Sequence, residues 1–173
     1  MQINCFSRFS MRLDGAQVDL YSGRAEELIA LLVCEPNGIS KSKAADMMWP
    51  DSPPFTAADK LRKVIKHLQT LIGNGLPLPL TVTRDALSLN ISQIKIDFVI
   101  FLALARSEDA KDWEHSVEMY SGVLLSDSRF DWAVEYESVY DAEYYDLLAR
   151  LETYFAGRGD KDKARYYRDK RQE

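Results

Sequence analysis

Hydrophobic and polar residues alternate in two stretches of the chain, near its start and again after residue 80. Apolar positions between Ile3 and Leu13 lead into Asp14-Gly15, and the returning segment AQVDL follows. Asp-Gly between two such runs is typical of a β-hairpin turn. The segment LTVTRDALSLNIS alternates on both sides of Arg84-Asp85 and predicts a second hairpin.

Apolar residues at helical spacing predict three helices between these hairpins. Ser22 is a suitable N-cap for the first helix, and Ser40 is one for the second, which ends at Pro50. The third helix covers about residues 55–72. The first helix is expected to bury a stripe of small and aliphatic side chains, Ala25, Leu28, Ile29 and Leu32.

After about residue 93 the pattern changes to helices only, and Gly157 and Gly159 are expected to separate the last two. Aromatic residues recur at helical spacing here, which predicts that they pack between stacked helices. An alternative is that a few of them line a groove for a peptide or a small effector. These aromatic residues are Trp113, Tyr120, Trp132, Tyr136, Tyr140, Tyr144 and Tyr154.

The charge of the chain is unevenly distributed. The 173 residues carry a net charge of −5, and residues 93–173 hold the acidic excess. Cys5 and Cys34 fit neither a disulfide framework nor a metal-ligand spacing, which indicates a reducing compartment. The N-terminal segment lacks the apolar core of a signal peptide, and no segment reaches the length of a membrane span. We therefore expect a cytoplasmic protein with no membrane partner.

The third helix has two faces of different chemistry. Its apolar side chains gather on one side, while Lys60 and His67 lie on a flank. The opposite side carries Asp59, Arg62, Lys63, Lys66 and Thr70. Such a helix fits the major groove of duplex DNA, where cations meet phosphates and Arg can read guanine. The alternative is an ordinary solvated helix face on which Asp59 pairs with Arg62 or Lys63.

The order of a hairpin, three helices and a second hairpin is that of a winged helix-turn-helix, in which the third helix enters the groove and the second hairpin is the wing. The segment from Leu20 to Gly73 resembles the DNA-binding domain of OmpR-type regulators in the antibiotic-regulatory-protein (SARP) branch. The matching positions are Leu28, Leu31, Leu32, Gly38, Ser40, Trp49, Pro50, Asp51, Ala58, Leu61, Ile65 and Leu68.

The remainder resembles the bacterial transcriptional activator domain that follows in that branch, on the segments YSGVLL, WAVEYE and LLARLETYFAGRGDKDKARYY. The resemblance implies an α+β winged helix-turn-helix DNA-binding domain over residues 1–92. An all-α helical domain like tetratricopeptide repeats (TPR-like) is implied over residues 93–173. The chain departs from the branch at Ala86-Leu87, where relatives carry Gly-Tyr, and at His67-Leu68-Gln69, where they carry Leu-Arg.

These patterns predict a sequence-specific DNA-binding transcriptional regulator that is not an enzyme and uses no cofactor or metal. The expected partner is double-stranded DNA, and the helical domain is expected to mediate either association with a second copy of the chain or contact with RNA polymerase. The alternative is a protein-interaction adaptor whose winged helix no longer binds DNA. The expected DNA-binding residues are Asp59, Lys60, Arg62, Lys63, Lys66, His67 and Thr70 on the third helix, with Lys41, Lys43 and Arg84 at phosphates.

Overall fold

Two small β-sheets and seven α-helices form the structure within residues 1–172, the residues that this computed structural model describes. The strands are β1 (Gln2–Asn4), β2 (Ser10–Leu13), β3 (Ala16–Gln17), β4 (Ile39–Ser40), β5 (Leu80–Val82), β6 (Ala86–Leu89) and β7 (Lys95–Ile96). The helices are α1 (Gly23–Cys34), α2 (Lys41–Met48), α3 (Pro54–Gly73), α4 (Asp97–Ala105), α5 (Ala110–Met119), α6 (Val134–Gly157) and α7 (Lys161–Lys170).

The first sheet has the strand order β3-β2-β1-β7. The predicted hairpin is confirmed as the antiparallel pair of β2 and β3, which places Leu13 opposite Ala16. Strand β7 pairs parallel with β1, with Ile3 opposite Ile96. The prediction that only helices follow residue 93 was therefore wrong for Lys95 and Ile96. Two residues are too short to show a strand period in the sequence, and only pairing with β1 defines this strand.

The second sheet has the strand order β4-β6-β5. The predicted second hairpin is confirmed as β5 and β6, in which Val82 lies opposite Leu87. Strand β4, between α1 and α2, joins the hairpin through Ile39, which lies opposite the same Leu87. The β5–β6 hairpin is therefore fixed to the start of α2 rather than free in solvent.

Gly38 lets the connection between α1 and β4 pass close to the backbone of β6. Its φ of +83° lies in the left-handed region, and a Cβ atom built there would lie 2.9 Å from the carbonyl oxygen of Leu87. We expect Gly38→Ala to lower the free energy of unfolding by about 1–3 kcal/mol. Gly157→Ala is the matched control, because its Cβ would meet nothing within 4 Å. Urea denaturation of both variants tests this, and equal stability of the two would contradict it.

Helix α1 is buried on nearly all sides, since α2, α3 and β6 pack against it. The predicted stripe is confirmed, and Ala30, Leu31 and Val33 are buried as well. Both predicted caps are present. The Ser22 side chain accepts a hydrogen bond from the Ala25 amide, and the Ser40 side chain accepts one from the Lys43 amide. These caps fix where α1 and α2 begin.

The strand β1 and the helical part of the chain share one hydrophobic core and many backbone hydrogen bonds. The Asp97 carboxylate accepts from the amides of Cys5 and Phe6 at 2.7 and 2.9 Å. The Ser7 amide donates to the carbonyl of Val123 at 3.0 Å, and the Leu125 amide donates to that of Cys5 at 2.7 Å. The end of β1 is therefore held directly by residues that follow the predicted division at residue 92.

A buried carboxyl lies where α1 meets the turn Asp131–Ala133. Glu27 is 4% exposed and pairs with Arg24 at 2.5 Å. Burial raises the pKa of Glu27 above its ordinary 4.5, and the hydrogen bond from Arg24 only partly opposes this. The folded state therefore favours the protonated carboxyl of Glu27. The stability that this adds is fully present below pH 4.5 and is lost as the pH rises through the folded-state pKa.

We expect Glu27→Gln to make the free energy of unfolding less dependent on pH above that value. Urea denaturation of wild type and variant at several pH values measures the difference. Glu118→Gln is the control, because Glu118 carries an exposed carboxyl on α5. Parallel pH profiles for wild type and Glu27→Gln would contradict the expectation.

Within residues 1–172, no helix is both long and apolar enough to cross a lipid bilayer.

Candidate nucleic-acid interface

Helix α3 presents an apolar face to the core and a polar face to solvent, as its sequence period predicts. It begins with Pro54, whose fixed φ suits the first turn of a helix. The buried face consists of Ala57, Leu61, Val64, Ile65 and Leu68. The open face carries Arg62, Lys63, Lys66, Gln69 and Thr70, all exposed to solvent. The helices that follow residue 93 do not cover this face.

Arg62 and Asp59 form an ion pair at 2.5 Å. This pair is the one expected if α3 simply has a solvated polar face. The Arg62 side chain nevertheless remains 75% exposed. An exposed pair of this kind contributes at most about 1 kcal/mol, so a ligand with stronger charge can displace the carboxylate. Thr70 donates its hydroxyl hydrogen bond to the carbonyl of Lys66 at 2.9 Å. Its side chain therefore lies against its own helix.

The β5–β6 hairpin lies beside α3 and is tied to α2 by one side chain. The ammonium group of Lys41 donates to the carbonyls of Thr83 and Arg84 at 2.7 and 3.1 Å. The Lys41 amide also donates to the carbonyl of Asp85 at 2.8 Å. These bonds hold the hairpin turn at the start of α2, and the Arg84 side chain is exposed there.

A groove of about 880 Å³ separates α2, α3 and the hairpin. We refer to it as the α2–α3 groove. Its apolar floor consists of Ala45, Ala58, Leu61, Ile65 and Val82. Four cationic residues, Lys41, Arg62, Lys66 and Arg84, stand around it with one acidic residue, Asp46. Expected DNA-binding residues from three separate elements thus meet at a single concave surface.

Six of the expected residues do not line this groove. Three of these six, Lys60, His67 and Lys43, have polar atoms that already have partners. The Lys60 ammonium donates to the Ser52 hydroxyl at 2.9 Å, and it lies 6.0 Å from the centre of the Trp49 ring. The Nε2 atom of His67 lies 2.7 Å from the carbonyl oxygen of Leu20. Lys43 pairs with Glu35 at 2.7 Å. These contacts join α3 to the segments before α1 and before α3 itself, and they join α2 to the end of α1.

The interpretation of the sequence missed Ser42 and Gln69, which also line the α2–α3 groove. Gln69 follows Lys66 by three positions and Arg62 by seven, so helical spacing alone places it on the same face. The amide of Gln can read adenine in the major groove. Ser42 carries no such signal, because only the fold brings the start of α2 beside α3.

The aromatic residues of the helical part mostly pack, as predicted. Trp132 and Tyr144 are buried, and the rings of Tyr120 and Tyr144 stack with their centroids 4.1 Å apart. Trp113 and Tyr154 instead line a shallow depression between α5 and α6, with the Arg150 guanidinium 5.0 Å from the centre of the Trp113 ring. A peptide groove here stays a hypothesis. Within residues 1–172, no group of His, Cys, Asp and Glu side chains is arranged to hold a metal ion.

Comparison with known proteins supports the overall arrangement. The fold is similar to that of EmbR from Mycobacterium tuberculosis, solved in complex with a low-affinity phosphopeptide, with a TM-score of 0.67 and 18% sequence identity. The similarity covers 97% of this chain and 55% of EmbR, so the chain spans about half the length of that neighbour. No family model matches the sequence, and no curated protein matches it. The similarity therefore concerns the fold.

Proposed function

We propose that this chain is a sequence-specific regulator of transcription that binds duplex DNA. In this proposal residues 1–92 form a winged helix-turn-helix domain with the β5–β6 hairpin as its wing. Residues 93–173 form a TPR-like helical domain that contacts RNA polymerase or a second copy. The observation that carries the proposal is the open face of α3, where Arg62, Lys63 and Lys66 are exposed together.

The chemistry of this face suits the major groove. A helix fits that groove, guanidinium donates two hydrogen bonds to guanine, and ammonium groups neutralise phosphates. Within residues 1–172, neither Lys63 nor Lys66 takes part in a salt bridge. Both are therefore available to a polyanion. Because the whole chain has a net charge of −5, DNA affinity must come from this local cluster.

We assign roles to the residues by their surroundings. Arg62, Lys66 and Thr70 enter the major groove of the DNA. Asp59 accepts a hydrogen bond from cytosine once it has released Arg62. Arg84 meets a phosphate at the wing, Lys63 meets one beside α3, and Lys41 holds the hairpin turn through its bonds to the carbonyls of Thr83 and Arg84. Lys60, His67 and Lys43 position α2 and α3, because their polar atoms already have partners.

A second candidate function is a protein-interaction adaptor, and the apolar floor of the α2–α3 groove favours it. Leu61 and Ile65 lie at the bottom of the groove, where a polar ligand gains nothing from them. An adaptor of this kind would bind a protein through the same surface and would not need DNA.

Titration with salt separates the two candidates. Duplexes are first selected from a random library by the intact chain, and their affinity is then measured over a range of salt concentrations. For a DNA regulator, the logarithm of the binding constant falls linearly with that of the salt concentration, with a slope of about −0.9 for each neutralised phosphate. Failure to enrich any duplex, or a slope near zero, would contradict DNA binding and favour the adaptor.

A further inference from the structure

The α2–α3 groove has a feature that duplex DNA does not require. Its floor of Ala45, Ala58, Leu61, Ile65 and Val82 is apolar, while its rim is cationic. An apolar centre within a charged rim is the anatomy of a protein–protein interface. Amphipathic helices commonly bind in grooves of this kind, with their apolar face inward. The groove therefore suits a helix whose exposed side carries both apolar and acidic residues.

The first half of α6 exposes apolar and acidic side chains together on one side. Val134, Val139 and Tyr145 are 66%, 59% and 44% exposed, although each is a large apolar or aromatic side chain. Ser138 and Ala142 lie exposed between them. The buried residues of α6, such as Leu147 and Leu148, point to the opposite side. We refer to residues 134–146 as the acidic face of α6.

The charges of these two surfaces are complementary. The acidic face of α6 contains five Asp and Glu residues and neither Lys nor Arg, although Arg150 lies 3.5 Å from Glu143 and 3.6 Å from Asp146. Glu135 and Asp146 are exposed beside the apolar residues. The groove offers four cations against Asp46. Pairing of two acidic faces with each other would place like charges together, so the groove is the better partner for either of them.

The dimensions are also compatible. The 13 residues from 134 to 146 span about 20 Å as a helix, and α3, with 20 residues, spans about 30 Å. The acidic face of α6 is open to solvent within its own chain, so it does not occupy its own groove. Its partner must come from another molecule.

We propose that the acidic face of α6 from one copy of this chain docks into the α2–α3 groove of a second copy. The contact joins two different surfaces, so two copies can exchange it reciprocally or extend it in series. Docking places Arg62 and Lys66 against carboxylates. Self-association and DNA binding therefore compete, a consequence that rests on the proposed function, whereas the docking itself does not.

Sedimentation velocity over a wide range of protein concentration tests the docking. The apparent mass of the wild type should rise from 19.8 kDa to twice that mass or more as the concentration rises. Val139→Glu removes the acidic face and Ala58→Glu removes the groove, so each variant alone should remain monomeric. Val99→Glu is the matched control, because Val99 is 41% exposed on α4, and it should associate like the wild type. Circular dichroism establishes that each variant is folded.

Mixing the two variants provides the sharpest test, because each retains the surface that the other lacks. A 1:1 complex of Val139→Glu with Ala58→Glu would support contact between face and groove. Monomeric wild type at all concentrations, or a mixture that forms no complex, would overturn the proposal. DNA binding by a strictly monomeric wild type would leave the proposed function intact. A mixed complex without any DNA binding would instead contradict only the proposed function.

Discussion

Replacement of Arg62, Lys63 and Lys66 together by Ala is expected to weaken binding to a selected duplex by about a hundredfold or more. Each lost contact to a base or phosphate costs about 1–3 kcal/mol, and about 1.4 kcal/mol corresponds to a factor of ten. The three side chains are exposed and lie on the open face of α3, so their truncation leaves the core unchanged. Fluorescence anisotropy at fixed salt concentration measures the loss.

The control for this variant removes three exposed cations from another part of the surface. Lys111, Lys161 and Arg165 lie on α5 and α7, and their replacement by Ala changes the net charge by the same amount. Affinity should then fall only slightly, because distant exposed charges are screened by salt. The slope of affinity against salt should decrease for the α3 variant, by about one for each phosphate contact removed. Equal losses in the two triple variants would refute a specific role for α3.

Asp97→Ala is expected to lower the free energy of unfolding by about 2–5 kcal/mol. The carboxylate accepts hydrogen bonds from the amides of Cys5, Phe6 and Phe98, at distances between 2.7 and 2.9 Å. Removal of the acceptor leaves the first two of these amides buried without a partner, and each such group costs about 1–3 kcal/mol. Burial raises the pKa of Asp97, although the three amides oppose this. Burial of the charged carboxylate therefore costs desolvation free energy, which its hydrogen bonds offset in part.

Urea denaturation followed by fluorescence measures this effect, and Asp109→Ala is its control. Asp109 is an exposed N-cap that accepts from the Lys111 amide at 2.9 Å, and loss of such a cap costs about 0.5–2 kcal/mol. Because Asp97 ties β1 to the start of α4, we expect one cooperative transition for the whole chain. Two separate transitions, with only one shifted by Asp97→Ala, would show that the contact does not couple the two parts.

Local features of the fold were predictable because each depends on a short stretch of sequence. Helix α3 was expected over about residues 55–72 and lies at Pro54–Gly73, because its apolar residues recur at the helical period. Ser22 and Ser40 act as caps because their hydroxyls can satisfy amides of the first turn. The β5–β6 hairpin follows from alternation on both sides of Arg84-Asp85.

Features that depend on distant parts of the chain were not predictable. The parallel pairing of β1 with β7 joins residues more than 90 positions apart and leaves no local pattern. The same holds for Lys41, whose bonds to the hairpin carbonyls appear only once α2 and the hairpin are adjacent. Lys60 and His67 were expected at DNA because of their charge, yet their partners, Ser52 and Leu20, come from outside α3.

Nuclear magnetic resonance can show whether the open face of α3 lies against duplex DNA. Backbone amide resonances of the intact chain are followed while a selected duplex is added. We expect the largest shifts to cluster on α3, near Arg62, Lys66 and Gln69, and on the hairpin near Arg84, with small changes in α5 and α7. Shifts that concentrate in α5 and α7 and leave α3 unchanged would contradict it.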